Sequence, residues 1–276
     1  MLRGFSKMYI LLFLLWLVTS LLTQGIICFI FAILYRLYPS RILHKGMWTL
    51  YNHWVAVLGF WVKRFIPDME LKVKGELPQD SCYILLSNHY SWLDILVLYT
   101  LAYNKLPGFV FVMKRSLVMI PILGVVCWGL GHPLLHRSRA RKGGVLLDLL
   151  ILQKASQRAK EYGYGMMIFP EGSRFTTKNA QNLGKFKNLL SPKTKGFEVI
   201  LTELGGESVP VVDATIVYET SNYSLYDFFF KRVGRVSLCL ESVLVKEMPA
   251  SNWLKERWEL KDHFISQQKY QSSAES

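Results

Sequence analysis

The hydrophobic pattern divides the chain into one long apolar stretch near the N-terminus and a body in which short apolar runs alternate with helical patterns. Residues 8–35, MYILLFLLWLVTSLLTQGIICFIFAILY, contain no charged side chain. At about 1.5 Å of rise per residue, a helix of this length exceeds the roughly 30 Å hydrocarbon core of a bilayer. The stretch predicts a membrane anchor over residues 1–45, formed by one tilted spanning helix or by a re-entrant helix pair bent at residues 23–25.

The residues that flank this stretch bear on its topology. Arg3 and Lys7 precede it, and Arg36, Arg41 and Lys45 follow it. A secretory signal peptide is the alternative interpretation, but the apolar run is about twice as long as a normal signal core and no small-residue cleavage site follows it. The slight excess of positive charge on the C-terminal side favours a body in the cytoplasm, which for a bacterial protein places the anchor in the inner membrane.

Beyond the anchor, six short apolar runs predict strands and two longer segments predict helices. The strands are expected at residues 71–73, 82–86, 109–113, 166–169, 209–217 and 236–240, and the helices at residues 92–102 and 144–161. Strands that alternate with helices predict an α/β domain over residues 46–276, with a mainly parallel sheet flanked by helices. The aromatic segment 47–62, MWTLYNHWVAVLGFWV, predicts a helix that lies either at the membrane interface or in the core.

The charge balance narrows the choice of partners. The chain of 276 residues has 33 basic and 20 acidic side chains, a net charge of +13. A nucleic acid is one partner that this charge could attract, but the basic residues accompany an apolar anchor, and anionic lipid headgroups attract Lys and Arg by the same electrostatics. The composition therefore favours membrane lipids as partners and does not favour nucleic acid.

A histidine and an aspartate follow the second predicted strand. In the segment 86–96, LSNHYSWLDIL, Asn88 and His89 come directly after the strand and Asp94 lies five positions beyond His89. Reactive groups of a parallel sheet lie at the C-terminal ends of its strands. With a helix beginning near Ser91, the Asp94 carboxylate can take the imidazole Nδ1 proton and leave Nε2 as a base. Taken alone, the pair is weak evidence for a base, and a structural histidine is the more common explanation of this spacing.

A second group of polar residues follows the strand at 166–169. In the segment 169–174, FPEGSR, Pro and Gly favour a sharp turn, Ser173 offers a hydroxyl, and Arg174 offers a planar cation that can hold phosphate oxygens. A structural ion pair between Glu171 and Arg174 is the alternative. A hydrolase nucleophile elbow, GxSxG, is absent from the sequence. The four cysteines and the other histidines lack ligand spacing, so no metal site is predicted.

Together these segments resemble the PlsC-like glycerolipid acyltransferases, also called 1-acylglycerol-3-phosphate acyltransferases. NHYSWLD is similar to the family block NHxxxxD, and FPEGSR to FPEGTR. Residues 114–124, KRSLVMIPILG, resemble KxxLxxxPxxG, and Arg137 stands where the family has a basic residue after a short strand. The wider run around FPEGSR is most similar to the bacterial YihG-type branch. Asp213 departs from the proline of many members, which leaves the acyl-chain or acceptor preference open.

The resemblance implies a glycerol-phosphate acyltransferase-like fold and a membrane-bound enzyme. Such an enzyme transfers a fatty acyl group from acyl-CoA or acyl carrier protein to a lysophospholipid hydroxyl, above all that of 1-acylglycerol-3-phosphate, without a further cofactor. His89 is then expected to be the general base and Asp94 its orienting partner. The expected substrate-binding residues are Lys114, Arg137, Glu171, Gly172, Ser173 and Arg174. Another lipid acceptor and a non-catalytic membrane adaptor remain the alternatives.

Overall fold

The protein is seen in a computed structural model that describes residues 2–38, 40–79, 82–102, 105–119, 123–137, 143–176, 184–220, 224–229, 233–246 and 248–275. Ile120 and Pro121 of the block at 114–124 lie outside these residues. The helices are α1 Leu2–Leu37, α2 Arg41–Phe65, α3 Leu93–Ala102, α4 Leu123–Gly129, α5 Gly144–Tyr162, α6 Thr194–Leu204, α7 Leu225–Phe229 and α8 Ala250–Glu275. The strands are β1 Met69–Lys74, β2 Ile84–Ser87, β3 Phe109–Phe111, β4 Met113–Lys114, β5 Leu134–Leu135, β6 Gly165–Ile168, β7 Val211–Tyr218 and β8 Val236–Val243.

The main sheet has six strands in the order β1-β8-β7-β2-β6-β3. All neighbouring pairs are parallel except β7 and β8, which are antiparallel. The predicted α/β fold with a mainly parallel sheet is therefore confirmed. The strand predicted at residues 109–113 is divided, because β4 leaves the main sheet and pairs with β5 in a separate two-stranded sheet.

Helices cover both faces of the sheet, as a parallel sheet requires. On one face, Ile84, Leu86 and Met166 pack against a cluster formed mainly by α5, α6, α8 and the first half of α2. On the other face, Leu85 and Met167 pack against α3, the second half of α2 and parts of α1 and α7. The central strand β2 is fully buried along its length. This burial gives the turn that follows β2 a rigid base.

The N-terminal apolar stretch forms one helix, α1, that continues through residues 23–25 without a break. Of the two predicted arrangements of the stretch, the structure contains the single helix. Residues 7–35 are the part of the described chain that is long and apolar enough to cross a membrane. Large apolar side chains such as Leu11, Leu15 and Ile26 are more than half exposed. An exposed apolar surface of this size indicates an interaction site.

The aromatic segment 47–62 lies within α2, which begins after the N-cap Ser40 and includes the predicted domain boundary at 45/46. Met47, Val55 and Val62 are at most 1% exposed, so this face of α2 is a core face. Phe60 on another face is 59% exposed. The buried face matches the core-helix alternative for this segment, and the division of the chain into an anchor and a domain stays a prediction.

The C-terminal helix α8 packs on the sheet through an apolar face that contains one lysine. Leu254, Trp258 and Ile265 are fully buried on this face, and Lys261 lies among them at 3% exposure. The Lys261 ammonium donates to the Ala214 carbonyl at 2.6 Å.

An aspartate of β7 pairs with the same helix. Asp213 lies 2.5 Å from the Lys261 amine and accepts a 2.6 Å hydrogen bond from Arg257 Nε. The carboxylate that stands in place of the family proline therefore joins α8 to the sheet. Its role in this structure is to hold the helix in place.

Candidate active site

The two polar segments predicted from the sequence meet at one edge of the sheet. Strands β2 and β6 are parallel neighbours, with Leu86 opposite Ile168, so the turns that follow them start side by side. The His89 ring stacks on the Phe169 ring with centroids 3.9 Å apart and an interplanar angle of 15°. The Phe175 N–H donates to the His89 carbonyl at 2.7 Å. The structure therefore joins both segments into one site.

The predicted pair of His89 and Asp94 is formed. His89 Nδ1 lies 2.8 Å from Asp94 Oδ2. The same oxygen accepts hydrogen bonds from the backbone N–H groups of Tyr90, at 2.6 Å, and Ser91, at 2.8 Å. The Ser91 hydroxyl accepts the Leu93 N–H at the start of α3, in the manner of a helix N-cap. The Asp94 side chain is fully buried, whereas that of His89 is 15% exposed.

A tyrosine that sequence reasoning missed completes the environment of Asp94. The Tyr218 hydroxyl donates to Asp94 Oδ1 at 2.7 Å. Tyr218 is the last residue of β7, whose C-terminal end lies at the same sheet edge as that of β2. Its position directly after the strand predicted at 209–217 was the available signal. With both carboxylate oxygens occupied, the orientation of Asp94 is fixed.

Asn88 holds the end of β2 against β7. Its side-chain amide donates to the Ile216 carbonyl at 2.9 Å, and its side-chain oxygen accepts the Ile216 N–H at the same distance. Ser87 is the last residue of β2 that pairs with β7, so the Asn88 side chain extends the hydrogen bonding between the two strands by one residue. Asn88 therefore fixes the strand end from which His89 projects.

The buried Glu171 carboxylate binds the backbone at two points of the site. Its Oε1 accepts the His89 N–H at 2.8 Å and its Oε2 accepts the Leu190 N–H at 3.0 Å. Burial raises the pKa of the Glu171 carboxyl to about 8, although the two backbone donors oppose that shift. Glu171 is only 2% exposed and links the turn at His89 to the segment at Leu190. Its role as a substrate-binding residue stays a prediction.

Two cations converge on Gly172 in the turn that follows Glu171. Gly172 has φ +71°, a left-handed conformation that glycine adopts without strain. The Arg137 guanidinium donates to the Gly172 carbonyl at 2.6 Å. A Cβ at Gly172 would lie 2.5 Å from the Lys193 amine, so this amine sits directly over the turn. No role was predicted for Lys193 from the sequence.

Arg137 has a strained backbone conformation. Its φ is +53°, and it is the residue other than glycine with positive φ among those described. Such a conformation costs on the order of 1 to 3 kcal/mol and persists where the surroundings enforce it. Here the Arg137 N–H donates to Asp148 Oδ2 at 2.9 Å, and the His136 N–H donates to Asp148 Oδ1 at 2.7 Å. This restraint directs the Arg137 side chain to the turn at Gly172.

The remaining predicted substrate-binding residues, Ser173, Arg174 and Lys114, are exposed. Ser173 and Arg174 follow Gly172, and the Arg174 guanidinium lies over the Trp92 ring at 5.4 Å from its centroid. Lys114 is the last residue of β4, and its register partner is Leu135 of β5. Leu135 precedes Arg137 by two residues. The structure brings Gly172 and Arg137 into contact and places Lys114 on the small sheet whose strand β5 ends two residues before Arg137.

Comparisons with known proteins agree with this architecture and these segments. Residues 70–217 match the family model described as Acyltransferase. A probable 1-acyl-sn-glycerol-3-phosphate acyltransferase 5 from Arabidopsis thaliana is 24% identical over 86% of this chain and 67% of its own length. A 1-acyl-sn-glycerol-3-phosphate acyltransferase from Haemophilus influenzae is 31% identical over 57% of this chain and 60% of its own length.

The fold is also similar to a solved structure. The crystal structure of the 1-acyl-sn-glycerophosphate (LPA) acyltransferase PlsC from Thermotoga maritima aligns with a TM-score of 0.58, at 20% identity, over 98% of each chain. The family match covers more than half of the chain and contains both segments of the site, from His89 to Arg174. The chain therefore belongs to the PlsC-like acyltransferase family.

Proposed function

We propose that this protein is a membrane-bound acyltransferase that transfers a fatty acyl group from a thioester donor, acyl-CoA or acyl carrier protein, to the hydroxyl of 1-acylglycerol-3-phosphate, giving phosphatidic acid. The observation that carries the proposal is the contact between His89 and Asp94 at the sheet edge that also presents the cationic turn at Gly172. The choice of acceptor is supported by the relatives from Arabidopsis thaliana and Haemophilus influenzae, which are named as 1-acyl-sn-glycerol-3-phosphate acyltransferases.

His89 is the general base of the reaction. Because Nδ1 is engaged with Asp94, Nε2 takes the proton of the acceptor hydroxyl as its oxygen attacks the thioester carbonyl carbon. The carbon–sulfur bond then breaks, and the leaving thiolate takes the proton back from the imidazolium. The Asp94 carboxylate stabilises the positive charge that the ring carries between these steps. No acyl-enzyme is required, because a thioester already has a good leaving group.

The cations around Gly172 bind the acceptor phosphate. A phosphate monoester carries close to two negative charges, and Arg binds its oxygens through paired N–H groups. Arg174 is exposed, Arg137 is held at the turn by its bond to the Gly172 carbonyl, and the Lys193 amine lies over Gly172. Lys114 joins them from β4. In this proposal, the phosphate lies beside the hydroxyl that His89 deprotonates.

The exposed helix α1 is the membrane anchor in this proposal, with the catalytic domain on the cytoplasmic side. The apolar stretch 7–35 is long enough to span and most of its surface faces outward. Deletion of residues 1–40, which leaves α2 whole, should weaken retention by membranes. Full extraction of the intact protein by alkaline carbonate would contradict the spanning arrangement.

The decisive experiment is an acyl-CoA assay with membranes that contain wild-type or His89→Ala protein. The acceptors are lysophosphatidic acid, other lysophospholipids and glycerol 3-phosphate, each tested separately. We expect thioester loss that requires lysophosphatidic acid and that disappears in the variant. Loss without an acceptor would indicate a hydrolase, and no loss with any acceptor would indicate an adaptor. If another lysolipid were preferred, acyl transfer would stand as the reaction and the proposed acceptor would be replaced by that lipid.

A further inference from the structure

We propose that Asp262, on the C-terminal helix α8, is a positioning residue for acyl transfer, which it supports by holding the loop that fixes Glu171 and Tyr90. This loop, residues 184–193, is called the bridging loop here. The inference rests on the proposed function of His89. It extends the machinery of the reaction beyond the region that matches the acyltransferase family, because that match ends at residue 217.

Asp262 binds the backbone of the bridging loop. Its Oδ1 accepts the Asn188 N–H at 2.7 Å, and its Oδ2 accepts the Lys187 N–H at 3.0 Å. A carboxylate that accepts two adjacent backbone N–H groups makes charge-assisted bonds, which are roughly twice as strong as neutral ones. The same helix makes further bonds to the loop, among them those from the Asn188 amide to Ser266 Oγ at 2.8 Å, from Lys269 Nζ to Asn188 Oδ1 at 3.0 Å, and from Trp258 Nε1 to the Leu190 carbonyl at 3.0 Å.

The bridging loop in turn holds both sides of His89. The Leu190 N–H donates to Glu171 Oε2, and Glu171 Oε1 accepts the His89 N–H. The Tyr90 hydroxyl donates to the Asn188 carbonyl at 3.0 Å, while the Tyr90 N–H donates to Asp94. Two chains of hydrogen bonds therefore lead from α8, one to the His89 backbone N–H and the other to Tyr90, the residue after His89. A displacement of the loop is transmitted to the base along both.

The helix itself is firmly attached, so it can act as a fixed support. Lys261, the neighbour of Asp262, is buried and lies 2.5 Å from Asp213 of β7. Arg257 pairs with Asp213 and with Glu241 of β8. These ion pairs fix α8 to two strands of the sheet. The bridging loop is therefore held between the sheet edge and α8, and these ion pairs fix the position of α8 on the sheet.

A double-mutant cycle tests the inference. Asp262→Asn should lower kcat about five- to tenfold, because it removes the charge and one acceptor, with acceptor KM changed by less than about twofold. Glu171→Gln should lower kcat as well. If Asp262 acts through the loop and Glu171, the double variant should be at most about twice as slow as the slower single variant. Fully multiplicative losses in kcat would overturn the proposal, because they would mean that the two residues act independently.

Glu256→Gln is the matched control, since Glu256 is an exposed carboxylate earlier on α8. It should keep the wild-type kcat. If Asp262→Asn cannot be recovered folded, Asn188→Ala replaces it in the cycle and should give the same coupling with Glu171→Gln. A wild-type kcat in Asp262→Asn, with His89→Ala inactive, would overturn this inference alone. Activity in His89→Ala would instead overturn the proposed function on which the inference rests.

Discussion

The two halves of the site differ in how their side chains are held. The residues that hold His89, called the catalytic turn here, are Asp94 and Glu171. The Asp94 side chain is fully buried and Glu171 is 2% exposed, and each of their four carboxylate oxygens accepts a hydrogen bond. In the cationic half, by contrast, Lys114 and Arg174 are exposed. Proton transfer requires a fixed geometry, whereas attraction of a phosphate depends on charge and tolerates mobility.

This difference leads to separate kinetic expectations. Changes at the catalytic turn should lower kcat, because they disturb a geometry that matters in the transition state. Changes among the exposed cations should raise acceptor KM, because they remove binding that the ground state and transition state share. The kcat and acceptor KM of single variants therefore test, one residue at a time, whether a side chain belongs to the catalytic turn or to the phosphate-binding cations.

The largest effect is expected at His89. Removal of a positioned general base costs roughly 10² to 10⁴ in rate, so His89→Ala should be nearly inactive while it stays folded. Asp94→Asn should also lose much of kcat, because the amide can favour the wrong imidazole tautomer. Since the pair acts as a unit, the double variant should be little slower than the slower single variant. Steady-state kcat of the three variants measures this. More than about a tenth of the wild-type rate in His89→Ala would place the base elsewhere.

The next largest effect is expected at the cations. Arg174→Ala and Lys114→Ala should each raise acceptor KM about ten- to a hundredfold, because a charge-assisted contact to phosphate is worth on the order of 1.5 to 3 kcal/mol. Lys193→Ala should act in the same direction. Lys195→Ala is its matched control, since Lys195 is exposed in the first turn of α6. Saturation curves in the acceptor decide the matter. A collapse of kcat at unchanged KM would assign these residues to the thioester instead.

A smaller effect is expected at Tyr218. Tyr218→Phe removes the hydroxyl that donates to Asp94 Oδ1 and leaves that buried oxygen with one donor fewer. The loss of one such bond corresponds to about three- to tenfold in kcat, with acceptor KM unchanged. Tyr270→Phe serves as the control, because Tyr270 is 80% exposed on α8. If Tyr218→Phe raised KM and left kcat alone, Tyr218 would belong to the binding half of the site.

The smallest expected effect is on the pH dependence of stability, which tests whether the pKa of the Glu171 carboxyl is raised in the folded protein. Burial raises the pKa of this carboxyl from 4.5 to about 8. The folded protein then binds the proton more tightly than the unfolded chain, so this group makes the free energy of unfolding fall as pH rises from about 4.5 to about 8. Glu171→Gln cannot titrate there, so its stability should decline less over that window. Thermal unfolding in detergent, at pH values between about 5 and 9, compares the two slopes. Equal slopes would mean that Glu171 is ionised throughout.

Much of the fold followed from local pattern. Helices were predicted at 92–102 and 144–161, and the structure has them at Leu93–Ala102 and Gly144–Tyr162. Helix α8 was not predicted, although Leu254, Trp258, Lys261 and Ile265 follow the spacing of one helix face. The lysine interrupts the apolar signal, and its burial makes sense only with Asp213 opposite it. Placement in the YihG-type branch stays a prediction.

The sequence by itself determined the alternation of strands and helices, the apolar N-terminal helix and the pairing of His89 with Asp94. These features depend on residues close together in the chain, whose periodicity and spacing are set by backbone geometry. Only the tertiary structure decided that Tyr218 binds Asp94, that Glu171 is buried between His89 and Leu190, and that Asp262 binds the bridging loop. Such contacts join residues far apart in the chain. They depend on strand order and helix docking, which are set by the burial of the whole core.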